Sequence, residues 1–229
     1  MKYYKLLSVS VLFSSFCFGQ QYFELNDASK NYNLRIKVEK CEGGECGGKG
    51  EVVLFNKKNT TKVQTLVSDD LNFYLNENQQ PTSNIIELYE DQSPVIFDDF
   101  NFDGTEDIAV RNGNQSSYGG PSYDVYVYHT TKKQFVPSSE LTELAYDNLG
   151  MFRTDQKRKR IITFAKSGCC WHLTTEYTVV PRKGLVKIFE KEEDAMGGEG
   201  TLKVITREKI NNKWVEKMKV YPIDQYYEQ

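Results

Sequence analysis

The sequence predicts an all-β chain folded as a single antiparallel domain, a sandwich or a partial propeller, with a strand-loop-strand calcium site. Three observations carry that prediction. Short runs rich in β-branched and aromatic residues recur along the chain, separated by Gly, Asn, Asp or Pro clusters at intervals that suit strands. Helical patterning is confined to one short stretch. The 229 residues include 15 Tyr, 13 Phe and 2 Trp, enough apolar area for a core, and no Pro-, Gly- and Ser-rich linker divides them. No clean internal repeat is visible, whereas a complete multi-blade propeller needs more strands and a visible period.

Charge narrows the function. The chain carries 29 basic and 32 acidic side chains, a net charge of -3, with a pI of about 5.6. Its longest basic block is Lys157–Arg158–Lys159–Arg160, so no basic surface suited to counterion release is offered and a nucleic-acid partner is not expected.

Residues 1–20 read as a secretory signal peptide: Lys2 and Lys5 precede an apolar stretch from Leu6 to Phe18, followed by Gly19 and Gln20. A membrane anchor competes, but four serines break the stretch, which is shorter than the roughly 20 residues a spanning helix needs. Cys17 raises lipid attachment as a second option, disfavoured by the bulky Phe16 before it. Removing the leader takes away two lysines and no acid, leaving 27 basic against 32 acidic groups and a net charge of -5 on residues 21–229. The expected location is periplasmic or extracellular.

Strand-like runs then follow in order. Residues 33–39 alternate apolar with polar residues, as a strand with one solvated face does. Further runs are 51–55, 61–67, 83–88, 94–97, 107–110, 123–129, 160–164, 175–180, 184–190, 201–209 and 214–221. Pro181–Gly184 and Asn211–Asn212 mark two late hairpins. The helical candidate is Ser139–Leu144, where Ser138 or Ser139 can cap. Glycine clusters near 43–50 and 197–200 read as loops.

Outside the cytoplasm thiols are usually paired. Without Cys17, four cysteines remain, Cys41, Cys46, Cys169 and Cys170, which allow three pairings. The turn Glu42–Gly43–Gly44–Glu45 suits a local Cys41–Cys46 bridge, leaving Cys169 to pair with Cys170. Adjacent cysteines close a strained ring, so cross-pairing stays open.

The acidic stretch Asp98–Val110 is the strongest signal. Asp99, Asn101, Asp103, Thr105 and Asp107 place oxygen donors at alternate positions, Thr105 through its carbonyl, and Gly104 supplies the bend. Calcium takes roughly six to eight oxygens, which a tight loop gathers in this way. Val110 stands where an EF-hand has its bidentate Glu, and the flanks read as strands. The competing reading is a solvated turn whose Asp and Asn residues satisfy backbone amides; the spacing favours the metal, in a structural role.

The segment DFNFDGTEDIAV resembles the calcium loops of FG-GAP repeats. With YGGPSYDVYVYH at 118–129, KKQFVPSSEL at 132–141 and KSGCCWHLTTEY at 166–177, the chain is similar, over roughly residues 94–190, to a family of exported bacterial FG-GAP-like proteins. One member of that family is a periplasmic immunity protein that inhibits a lysozyme-like peptidoglycan hydrolase delivered by a type IV secretion system. The resemblance implies a calcium-stabilised, partly propeller-like β domain with inhibitor activity as one expected role. Fold transfers better than function.

Ser167–Gly168–Cys169–Cys170–Trp171–His172 allows three readings. As an inhibitory loop, Ser167 enters a carbohydrate cleft, Gly168 allows close approach and Trp171 anchors, with Trp171 standing where lysozyme inhibitors of other families carry Tyr. As a catalytic Cys–His site it fares badly, since adjacent thiols oxidise outside the cytoplasm; a zinc site from Cys169, Cys170 and His172 fares no better. As a structural loop, a disulfide pins it while Trp171 and Tyr177 pack. Tyr118–Tyr123 reads either as a binding rim beside the metal or, preferably, as a tight connection into a strand whose Tyr123, Val125 and Val127 face packs. No base and nucleophile stand out, so no enzyme is expected. The functions in contest are an inhibitor or immunity protein acting on a cell-wall hydrolase and a calcium-stabilised surface module binding glycan or protein. The lack of repeats tips the balance towards the inhibitor.

Overall fold

The computed structural model describes residues 20–88, 92–198 and 200–227; residues 1–19, which include Cys17 and nearly all of the expected leader, lie outside them. Among these residues fifteen strands form three antiparallel sheets, each built on a meander of consecutive strands, and no barrel closes. The build is sandwich-like. The first sheet holds β1 (Gln21–Leu25), β2 (Tyr32–Glu42), β3 (Glu45–Asn56) and β4 (Lys62–Ser68), with β5 (Phe73–Tyr74) paired to the start of β3. The second holds β6 (Val95–Asp98), β7 (Asp107–Arg111), β8 (Tyr123–His129) and β9 (Gln134–Pro137). The third runs through β10 (Arg153–Asp155), β11 (Arg160–Ser167), β12 (Trp171–Val180), β13 (Gly184–Asp194), β14 (Thr201–Ile210) and β15 (Lys213–Pro222).

The second sheet is the middle layer. Val95, Phe97, Ile108 and Val110 face a core shared with Leu34, Ile36 and Leu54 of the first sheet. Ile96, Ala109 and Val125, one residue out of phase, face a second core with Ile161 of β11 and Leu141 of α1 (Ser139–Asp147). Burial on both faces is why Val95–Phe97 and Ile108–Val110 are unbroken apolar runs and not alternating ones. The expected Tyr123–Val125–Val127 face does pack, and Tyr126 and Tyr128 on the opposite face pack too, against the first core.

Some boundaries differ from expectation for identifiable reasons. Residues 83–88, expected as a strand, are irregular: Asn84, at φ 62, donates to the Ala28 carbonyl and accepts from the Phe97 amide, tying the segment to two neighbours instead of to a ladder. Residues 45–50, expected as loop, belong to β3; a Cβ at Gly50 would meet Leu71 at 2.5 Å, so the glycine admits the close approach of residues 70–72. Asn211 and Asn212 both sit at positive φ, the geometry a two-residue hairpin turn requires. The short helix α2 (Ile223–Tyr227) follows β15.

Candidate functional site

The acidic loop is the turn between β6 and β7, so strand pairing of Asp98 with Asp107 fixes its two ends. Its side chains turn largely inward. Asp107 is fully buried, with Oδ2 accepting from the Phe100 and Asn101 amides at 2.9 and 3.3 Å and Oδ1 from the Tyr128 amide at 2.8 Å. Burial pushes its carboxyl up to about 7, the charge of Asp103 adding to the rise and the three amide donors opposing it. Asp99 accepts from the amides of Asp103 (3.0 Å) and Gly104 (2.8 Å), and Asp103 from the Thr105 amide and hydroxyl. Asn101 donates to Asp103 Oδ2 at 3.1 Å.

The donor set suits a hard cation, being all oxygen with three carboxylates. In this arrangement, however, the oxygens close on backbone amides, and among the described residues no three His, Cys, Asp or Glu side chains are grouped to hold a metal ion. Calcium would require Asp99 and Asp103 to turn from those amides to a shared point. At Gly104 the rim is open: apart from its chain neighbours nothing lies within 4 Å of where a Cβ would stand. Asp99, Asn101, Asp103, the Thr105 carbonyl and Asp107 are the residues that would hold the ion.

Sequence reasoning passed over Glu106. Its carboxylate accepts from Ser29 Oγ (2.9 Å), the amides of Lys30 (3.0 Å) and Asn31 (3.3 Å), and Asn31 Nδ2 (2.8 Å), joining the loop to the first sheet. On the other side Gln156 Nε2 donates to Asp98 Oδ1 and the Asp99 carbonyl, joining it to the third. A cleft of ≈ 800 Å³ runs between residues 27–32 and the loop. Partners some 75–77 residues distant in sequence leave no local signal for Glu106.

Ser167–His172 lies at the far end of β11 from Gln156, a strand of eight residues, hence roughly 25 Å away along the sheet. Cys169 is bonded to Cys170, and Cys41 to Cys46 across the β2–β3 hairpin, so the cross-pairing is absent. Ser167, Gly168 and Cys169 are exposed. Three contacts hold this tip: the Gly168 amide donates to the Tyr118 hydroxyl at 2.6 Å, the Ala195 amide donates to the Cys170 carbonyl at 2.8 Å, and Trp171 Nε1 donates to Glu192 at 2.9 Å. Trp171 and His172 are half-buried in the sheet. The Trp171 indole and the Arg207 guanidinium hold Glu192 below the usual carboxylate range.

Tyr118 belongs here and not beside the acidic loop, because β7 carries the chain from the one to the other. It is 62 % exposed, lies under the Lys166 ammonium at 4.8 Å and sits at φ 60, a conformation non-glycine residues seldom adopt. Met196, 67 % exposed, lies one residue beyond the Ala195 contact. The tip therefore presents a hydroxyl, a glycine, a disulfide, an aromatic ring and a thioether to solvent.

Two disulfides fit an oxidising compartment. No helix among the described residues is long and apolar enough to cross a membrane. No family model matches the chain, and no curated protein does. Among solved structures the chain is similar to a Xanthomonas protein described as type IV secretion system related, with a TM-score of 0.63 and 19 % identity over 88 % of this chain and 94 % of that one. At that identity the likeness shows a shared fold, extending over nearly the whole of both molecules.

Proposed function

We propose that the protein is an exported, non-catalytic binding protein that inhibits a lysozyme-like peptidoglycan hydrolase, as an immunity protein does, with calcium stabilising the acidic loop. One observation carries this reading: the Ser167–Trp171 tip projects into solvent, yet its main chain is tied at Gly168 and Cys170 and its aromatic at Glu192. A tip fixed in advance loses little conformational freedom on entering a cleft, which is what a tight plug needs. Ser167 supplies a hydroxyl for a catalytic carboxylate of the target to accept from, and Gly168 removes side-chain bulk. The fold shared with a type IV secretion system related protein supports the same setting.

The test is peptidoglycan lysis, followed by turbidity, with a panel of lysozyme-type hydrolases and the calcium-loaded protein. Inhibition of at least one enzyme near equimolar ratio is expected. Combined Ser167→Ala and Trp171→Ala should weaken it by about thirtyfold or more, as the loss of an anchor worth roughly 2 kcal/mol does. Undiminished lysis across the panel would leave the glycan- or protein-binding surface module as the better reading.

A further inference from the structure

At the edge of the third sheet lies a strand whose outer side pairs with no other strand among the described residues, with α2 packed at its end through Tyr226 on Tyr221. β15 is the last strand in the order, paired on one side to β14 and open on the other. Nine of its ten residues are exposed, Tyr221 alone being half-buried. Long open edges invite strand addition, and soluble proteins ordinarily blunt them.

The two faces of β15 differ in chemistry. One carries Trp214, Met218 and Val220, at 46, 59 and 60 % exposure, together with Glu216, whose charge is met by Arg207 at 2.8 Å. The other carries Lys213, Lys217 and Lys219, which stand across from Ile210, Thr206 and Val204 of β14, with Val215 and Tyr221 on the same face. None of the three lysines enters an ion pair within the described residues. A chain whose residues 21–229 sum to -5 thus keeps three lysines, at 213, 217 and 219, outside any ion pair among the described residues on one face of its longest edge strand.

We propose that β15 is a docking edge for an extended segment of a partner protein that adds as a seventh strand, with acidic residues at alternate positions and apolar residues between them. Opposed side chains on one face of an antiparallel pair lie about 5 Å apart, so acids in that strand meet the lysines while its apolar residues cover Trp214, Met218 and Val220. A second copy of this chain fits badly. A two-fold axis that pairs two β15 edges keeps like faces together, setting the lysines of one copy beside those of the other. The inference does not rest on the Ser167–Trp171 tip, which ends three strands away at β12, although Arg207 links the two through Glu192 and Glu216.

The experiment uses the whole protein and two peptides of the length of β15, one alternating Glu with Val and the other Lys with Val. Amide hydrogen exchange is followed by mass spectrometry. The acidic peptide should protect residues 213–222 and bind about tenfold or more tightly than its lysine counterpart. Combined Lys217→Glu and Lys219→Glu should reverse that order, with the melting temperature as the check on folding. If this variant fails to fold, the two peptides on the unaltered protein, with and without added salt, still decide. Equal binding of both peptides, or no protection of β15 by either, overturns the proposal and leaves the lysines as guards of the edge. Protection that grows with protein concentration without peptide overturns it in favour of self-association.

Discussion

The two loops that sequence motifs single out terminate the same layered body at opposite ends, and they spend their polar groups in opposite directions. In the β6–β7 loop three carboxylates are taken up by the body itself: Asp107 is fully buried on three amides, Asp99 accepts from two, and Glu106 reaches the first sheet through four hydrogen bonds. In the β11–β12 loop the few internal bonds hold the main chain and the indole, while Ser167, Gly168 and Cys169 face solvent. The first loop ties the sheets together and the second leaves its tip to solvent. Polar content alone does not separate an anchor from a contact surface; what does is whether each group has already found its partner.

The largest expected effect follows from the buried end of the first loop. Asp107→Ala leaves the amides of Phe100, Asn101 and Tyr128 without their acceptor, in a place water does not reach at Phe100. The cost should be about 3 kcal/mol, since an unsatisfied buried donor costs about 1–3 kcal/mol each and partial exposure at the other two reduces theirs. For a chain of this size that lowers the melting temperature by roughly 6–12 °C. The measurement is made in chelator, so that loss of a cation plays no part. A fall of less than a degree would show that the carboxylate is not the anchor described here. Ser167→Ala, by contrast, should leave the melting temperature unchanged.

Calcium gives the intermediate effect. If the ion binds as weakly as in extracellular modules, with Kd near 10⁻³ M, then 10 mM calcium adds about 1.4 kcal/mol, or a rise of roughly 3–6 °C in melting temperature. Asp103→Ala should abolish the rise while costing little in chelator, because Asp103 is exposed and its bonds lie within the loop. Melting curves that coincide in calcium and in chelator would sink the metal and leave a self-satisfied turn, the arrangement the hydrogen bonds already describe.

How much of this is legible in the sequence depends on where each residue finds its partners. The period-2 runs at 123–129 and 201–209 appear as strands because the ladder itself sets that period. β9 and β10, at four and three residues, are too short to show one. The acidic spacing marks a loop that collects amides or a cation, and sequence alone does not choose between them, since both need the same oxygens. Glu106 is invisible because its partners come from another sheet. Of the two readings of Tyr118, the less favoured one, a rim beside the metal, fails for the same reason: proximity in sequence to the acidic loop suggests proximity in space, and an intervening strand removes it.

The smallest expected effect lies at the exposed loop, in the bond between Trp171 and Glu192. The indole N–H and the Arg207 guanidinium depress the Glu192 carboxyl from its ordinary 4.5. A depressed carboxyl contributes stability that is fully present above its unfolded value and is lost as the pH falls through the folded one. The tip should therefore keep its geometry down to about pH 4.5 and loosen only below it. The Trp171 indole proton resonance reports this directly, shifting with a midpoint under 4.5, and Glu192→Gln, which keeps an acceptor oxygen but no titrating group, should remove the transition. A midpoint at or above the ordinary value would mean that the indole does not favour the charged form. The inward loop joins sheets through Glu106 and Asp98, so a change there reaches the whole body. The tip answers it locally, because Glu192 and Arg207 are held by neighbouring strands of one sheet, so its geometry can be altered without unfolding what carries it.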